Sequence, residues 1–307
     1  MKKAVYLTKG KGDIITAGKY TENIYALPVY RADNVLCKAM ANICWKLHFP
    51  CTALFLGDWA RTIQDYDVII CEGLKRREWV FRYILQRKKA DSRLIMWHWN
   101  KIFEYETDPN SDLAQQCEQW SFDPDDCETY HMRANTQYFA TISIPFNAEK
   151  KWDLYFLGTD KGRVPLLEKL NISCKNKGLT PYFYIVGEQG LSPSAELPYR
   201  APISYEENIQ NVSNTAAVVD MPLKGQRGLT LRVLEALYLH RKLVTFNSDV
   251  KELPFYNDNN ILVCDEDFSI DAIYGFMQKP YQDTAACIEA RQFYSFSEWM
   301  KRFELKS

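Results

Sequence analysis

Apolar residues in this chain fall into two patterns: short continuous runs, and longer stretches in which they recur every three or four positions. Residues 3–8 (KAVYLT), 53–56 (ALFL), 66–71 (YDVIIC) and 93–97 (RLIMW) are short runs of strand length, and their continuity suits strands buried on both faces. Residues 34–47 and 79–86 carry the helical spacing. Strands alternating with helices of this size predict parallel βαβ units and an α/β layer architecture. Residues 103–136 are rich in Asp, Glu, Asn and Gln, and the motifs DPNSD and FDPDD interrupt either period.

The alternation then restarts. Strands are expected at 152–157 (WDLYFL), 182–186, 216–220 (AAVVD), 242–246 and 260–264, with helices at 164–177, at 205–213 and after residue 230. The final stretch ARQFYSFSEWMKRFEL spaces Phe293, Phe296, Trp299, Met300 and Phe303 as one face of an amphipathic helix. The domain reading is therefore 1–147, 152–285 and a C-terminal helix at 286–307, with a linker near 143–152. Two open sheets in one chain imply a cleft, since ligands of such sheets bind at the carboxyl ends of strands.

Composition narrows the partners. At 307 residues the chain has room for two domains, and 47% hydrophobic residues suffice for their cores. A net charge of −1 provides no global basic field, so no nucleic-acid partner is expected and any anion site must be local. The nine cysteines are scattered, odd in number and lack any CxxC pair, which reads as reduced, mostly buried thiols. No apolar run reaches membrane-spanning length and no signal segment follows MKK, so a cytoplasmic location is expected. Basic and aromatic stretches at 87–89, 150–152 and the terminal helix leave peripheral contact with a membrane surface open, beside plain solvation.

One local signal for anion binding stands out. Residues 224–237 read KGQRGLTLRVLEAL, a basic loop with glycines that runs into an amphipathic helix. The helix dipole disfavours cations at this end, whereas free amides and basic side chains together suit a bound anion. A solvated surface helix is the other reading.

The order strand, glycine loop, helix with a glutamate and second strand, here AAVVDMPLKGQRGLTLRVLEALYLHRKLVTFNSD, resembles the donor-binding region of glycosyltransferases with the two-domain GT-B fold. It is closer to bacterial lipopolysaccharide and capsule glycosyltransferases, including the CgeB-like group. The segments WDLYFLGTDKGR, WSFDPDDCETY and YSFSEWMKRF also resemble parts of such proteins. The resemblance implies two Rossmann-like domains facing a cleft, with a nucleotide-sugar donor on the second and a glycan or lipid-linked glycan acceptor on the first. It implies that Glu235 meets the ribose and that Gly228, Leu229 and Thr230 offer amides or a hydroxyl to phosphate. Gln226 belongs to the same donor loop, Arg227 would supply charge, and Lys161 and Arg163 would reach in from the turn TDKGR. Many retaining members carry a second glutamate eight positions before the first; here that position is Arg227, which favours an inverting displacement.

Candidates for the base are Asp13, Glu72, His98 and Asp123. A base must lie within hydrogen-bond reach of the acceptor hydroxyl. Asp13 also reads as a turn residue, Asp123 as a helix cap and His98 as a packed histidine. The D-x-D pairs Asp123/Asp125 and Asp265/Asp267 read as solvated loops, so no metal and no cofactor are expected. A nucleotide-sugar epimerase of the two-domain kind and a non-catalytic partner protein are the alternative functions.

Overall fold

The computed structural model describes residues 2–10, 15, 17–102, 106–140, 150–223 and 225–305. They form two units: Met1–Thr141 with Ser295–Ser307, and Ile142–Tyr294. Each is built on its own mainly parallel sheet.

The first unit contains β1 (Ala4–Thr8), β2 (Gly18–Lys19), β3 (Ile24–Pro28), β4 (Val68–Glu72), β5 (Arg93–His98), β6 (Glu118–Ser121) and β7 (Arg133–Ala134). They lie in the order β2-β3-β1-β4-β5-β6-β7, with only β2 antiparallel. Its helices are α1 (Val35–Lys46), α2 (Glu78–Arg87) and α3 (Pro124–Tyr130). Every residue of β1 and β4 is buried, as a continuous apolar run in a two-sided parallel sheet requires. The strand alternation divides the core between the two faces. Tyr6, Ile70, Ile95 and Trp97 face one cluster, while Leu7, Ile69, Cys71 and Met96 face another that includes Phe81 and Ile84 of α2.

One expectation fails in this half, and one strand there is unexpected. Residues 53–56 are not a strand: Pro50–Leu54 is a 3-10 helix, and Leu56 makes one isolated bridge with Tyr30. Pro50 presets the turn and Gly57 ends the segment, too short a span for strand pairing. The strand pairing with β1 on that side is instead β3, whose sequence IYALP is short and ends in proline.

The second unit comprises β8 (Trp152–Thr159), α4 (Val164–Asn176), β9 (Pro181–Val186), β10 (Tyr199–Arg200), α5 (Tyr205–Ser213), β11 (Thr215–Asp220), α6 (Leu231–Tyr238), β12 (Lys242–Thr245), β13 (Ile261–Val263), α7 (Ile270–Gln278) and α8 (Ala285–Phe293). Its six strands are all parallel, in the order β10-β9-β8-β11-β12-β13. The α/β expectation holds in both halves. Strand order reverses between β8 and β11, which makes their carboxyl ends the natural ligand position of this sheet.

The terminal stretch is two helices rather than one. After α8, Ser295 accepts from the Glu298 amide and starts α9 (Phe296–Lys301), a Ser-x-x-Glu start signal inside the apolar stripe. Helix α9 belongs to the first unit. Its Trp299 is fully buried, 4.4 Å from the Tyr138 ring, 4.7 Å from Phe303 and 5.4 Å from Trp97, and its indole N–H donates to Thr136 O at 2.7 Å. Phe296, Trp299, Met300 and Phe303 of the aromatic stripe are thus core, whereas Phe293, at the end of α8, is exposed. Trp299→Ala is expected to lower the unfolding free energy by about 3–5 kcal/mol, as other buried aromatic truncations do. Urea unfolding followed by near-UV circular dichroism measures it; a loss below about 1 kcal/mol would remove α9 from the core.

Candidate functional site

Strand β8 leaves the second sheet through Gly158, Thr159 and Asp160, then turns at Lys161 and Gly162, both with positive φ, into α4. The turn places Arg163 at the switch point. Its guanidinium Nη1 donates to Met221 O, just beyond β11, at 2.8 Å; Nε donates to Asp160 O at 3.2 Å, and Nη2 to Thr159 O. From the first turn of α6, Arg232 Nε donates to Leu157 O at 3.1 Å. A Cβ built on Gly158 would lie 2.8 Å from Arg163 Nη2 and 3.1 Å from Arg232 Nη2, so the two guanidiniums flank one glycine. Neither has an ion pair within 4 Å among the described residues. Burial, and then the neighbouring Arg232, push the Arg163 guanidinium down to about 10.

The nearest carboxylates are committed elsewhere. Asp220, at the end of β11, accepts from Thr230 Oγ1 and Thr245 Oγ1 at 2.7 Å each, which fixes the approach to α6. Asp160 accepts from the Tyr199 hydroxyl at 2.5 Å and from the Val164 amide at 3.2 Å. Two adjacent cations solvated chiefly by backbone carbonyls make a local excess of positive charge, and the carboxyl ends of β8 and β11 put it where parallel sheets bind ligands.

The donor-side residues separate into an inner and an outer group. Arg163, Gly228, Thr230 and Glu235 lie buried or half-buried near the strand ends, and Leu229 is half-buried between Gly228 and Thr230. The Thr230 hydroxyl is a donor to Asp220 and is not a free donor for phosphate. Gln226 forms a turn with Leu223 through its amide at 2.9 Å. Arg227 is exposed and pairs with Asp249 at 2.9 Å, while the Lys161 amide donates to Glu188 at 3.0 Å. Sequence reading counts Arg232 among the loop's basic residues but does not distinguish it from Arg227. Its signal is the three-residue spacing from Glu235, which places both on one side of α6. Asp220, Asn208 and Tyr155 carry no such signal.

Glu235 points into the unit, where Oε1 accepts from Asn208 Nδ2 of α5 at 2.9 Å; Asn208 Oδ1 accepts from the Tyr155 hydroxyl of β8 at 3.0 Å.

Of the four base candidates, Asp13 lies outside the described residues. Glu72, buried at the end of β4, meets Tyr6 OH at 3.3 Å, Lys9 Nζ at 3.3 Å and Arg77 Nη1 at 3.4 Å. His98, at the end of β5, is fully buried; among the described residues its ring nitrogens have no hydrogen-bond partner, and Glu106 Oε2 is 3.8 Å from Nδ1. Asp123 caps α3 by accepting from the Asp125 and Asp126 amides at 3.1 and 3.4 Å, and Lys101 Nζ lies 3.4 Å away. These three stand at or just beyond the carboxyl ends of β4, β5 and β6, which pair side by side. Among the described residues no group of three or more His, Cys, Asp or Glu side chains is placed to hold a metal.

Burial raises the Glu235 carboxyl from 4.5 to about 7, against the pull of Arg232 and the Asn208 hydrogen bond. Such a group binds its proton more tightly folded than unfolded. Its stabilising contribution is therefore complete below pH 4.5 and is lost as pH rises through about 7. Between about pH 5 and pH 8 the wild-type chain is expected to lose about 2–3 kcal/mol more stability than Glu235→Gln, which stays neutral. Urea unfolding of both proteins at the two pH values measures this, and equal losses would mean that the carboxyl is solvated.

No protein-family model and no curated protein matches this chain in sequence. Solved structures do match it. An α-glucosyltransferase in complex with UDP and a 13-mer DNA containing a HMU base aligns over 98% of this chain and 98% of its own, with a TM-score of 0.52 and 10% identity. AviGT4, a glycosyltransferase involved in avilamycin A biosynthesis, aligns over 99% and 97%, with a TM-score of 0.52 and 12% identity. At such identities the likeness is one of fold: this chain has the α/β fold, with two parallel sheets, of GT-B glycosyltransferases.

Proposed function

We propose that the protein transfers a sugar from a nucleotide-sugar to a glycan acceptor of the cell-envelope class, with the donor's diphosphate at Arg163 and Arg232. The carrying observation is the pair of guanidiniums beside Gly158 at the β8/β11 switch point, with no carboxylate paired to either among the described residues. Diphosphate is the ligand that two neighbouring arginines suit best, because each fork can meet two oxygens. Glu235, one turn into α6, is the proposed ribose contact.

In the transfer, the acceptor hydroxyl oxygen bonds to the anomeric carbon as the bond from that carbon to the diphosphate oxygen breaks. The electron pair leaves on the nucleoside diphosphate, where the two guanidiniums stabilise the developing charge. This role requires no metal of the protein. The hydroxyl proton passes to a base, and Glu72 is our choice among the described candidates. It stands at the end of β4, beside the switch point between β1 and β4 in the first sheet.

Calorimetric titration with UDP, GDP, CMP and dTDP in EDTA tests the donor site. One nucleotide is expected to bind, and Arg232→Ala to weaken it by roughly tenfold to a hundredfold, the loss of one charge-assisted contact. Binding unchanged by this substitution would place the diphosphate elsewhere. With that nucleotide-sugar and an acceptor, Glu72→Gln is expected to lower kcat by about 10²–10⁴ while leaving nucleotide affinity intact. An unaltered kcat would exclude Glu72 as the base. Product formed from donor alone, with no acceptor present, would identify an epimerase instead.

A further inference from the structure

The strand order of the first unit reverses between β1 and β4, and beside their carboxyl ends opens a pocket of about 480 Å³. That lies within the range of small-ligand sites, about 300–1,000 Å³. Lys9, Lys38, Arg76 and Arg77 bring four cations to its wall, and Asp33 is the one carboxylate among the described lining residues. Asp33 is held by Lys38 at 2.5 Å. Glu72, behind the wall, takes Lys9 and Arg77 at 3.3 and 3.4 Å. Among the described residues, four cations stand against these two carboxylates, in a chain whose net charge is −1. Arg76 is exposed and has no ion pair within 4 Å among the described residues.

Two aromatics, Tyr30 and Trp79, complete the described lining together with Val35, Ala39 and Asn42 of α1. Tyr30 and Trp79 stand with ring centroids 6.2 Å apart, and Trp45 lies 6.1 Å behind Trp79. Lys38 Nζ is 6.0 Å from the Tyr30 ring. Aromatic faces accept the weakly positive C–H face of a sugar ring, and the surrounding cations accept an anion. A neutral glycan would use the first feature and leave the second without purpose.

We propose that this pocket binds the acceptor through a carboxylate or phosphate on a sugar, with Arg76 as the selecting cation, so that the glycan being extended is acidic. The assignment to an acceptor rests on the transferase reading above; the binding of an acidic saccharide does not. Placed there, the acceptor meets Lys9 and Arg77, the two cations that hold Glu72 from the wall.

The test is a ligand-detected NMR titration of the full chain with glucose, glucuronic acid, glucose 6-phosphate and inorganic phosphate at low salt. At least one acidic sugar is expected to bind about tenfold or more tightly than both glucose and phosphate, the factor for one charge-assisted contact together with the ring. Which acidic sugar binds distinguishes carboxylate from phosphate recognition. Added salt should weaken that binding. Arg76→Glu, an exposed position with the same expected Tm, should abolish the preference and leave nucleotide titration unchanged. Equal affinity for glucose and the acidic sugars, equal affinity for phosphate alone, or a preference that survives Arg76→Glu overturns the proposal. Nucleotide binding that persists alongside such a result would leave the donor site standing, whereas acidic-sugar binding without any nucleotide binding would overturn the transferase reading alone.

Discussion

Two arginines held against the same glycine are the constraint around which the second unit is organised. Like charges repel, and burial removes the water that would screen them, so the pair is a standing electrostatic cost to the empty protein. The low Arg163 value expresses that cost. The fold sustains it with geometry: the carbonyls of Leu157, Thr159, Asp160 and Met221 all turn toward the two forks. Carbonyl dipoles solvate a cation without neutralising it. A carboxylate in their place would form a closed ion pair and leave nothing for a ligand. Positive charge that is solvated yet unneutralised is the state in which an anion gains most on binding.

The polar network around the pair keeps the available acids occupied. Asp220 accepts from two threonines on different elements, tying the end of β11 to β12 and to the entry of α6. Satisfied in this way, a buried carboxylate is both stable and unavailable. Glu235 is treated differently. It receives an amide hydrogen bond from Asn208 but, among the described residues, no cation within ion-pair distance, and burial raises its proton affinity. One helix therefore carries a cation facing the strand ends and a carboxyl facing α5, three residues apart.

Much of the second unit is legible in the sequence because its signals are local. Runs such as AAVVD and KLVT are strands by continuity alone, and α5 starts at a Ser-x-x-Glu motif that the structure uses as a cap. The loop KGQRGLTLR advertises charge. It does not say which arginine turns inward, because that depends on where α6 begins: Arg227 precedes the helix and reaches Asp249, while Arg232 lies on its first turn and reaches Leu157 O. The first unit is harder to read. IYALP is a strand chiefly because β1 needs a partner on that side, and ALFL is none because Pro50 has already set a turn. Asp123 looked equally suited to chemistry and to capping, and only the two amide contacts decide that it caps.

Charge distribution joins these observations. A chain with net charge −1 cannot attract a polyanion by its overall field. It nevertheless concentrates cations at the carboxyl ends of central strands in each unit: Arg163 and Arg232 in one, Lys9, Arg76 and Arg77 in the other. Elsewhere many cations are paired, as in Lys89 with Asp67, Arg93 with Glu118 and Arg291 with Asp283. Pairing on the surface and incomplete pairing at the switch points is the arrangement expected of a protein that recognises small anions by position. Screening by salt acts strongly on exposed charge and weakly on buried charge. The half-buried arginine pair should consequently hold its ligand at ionic strengths that already weaken recognition at exposed Arg76, so the two sites differ in salt dependence as well as in ligand.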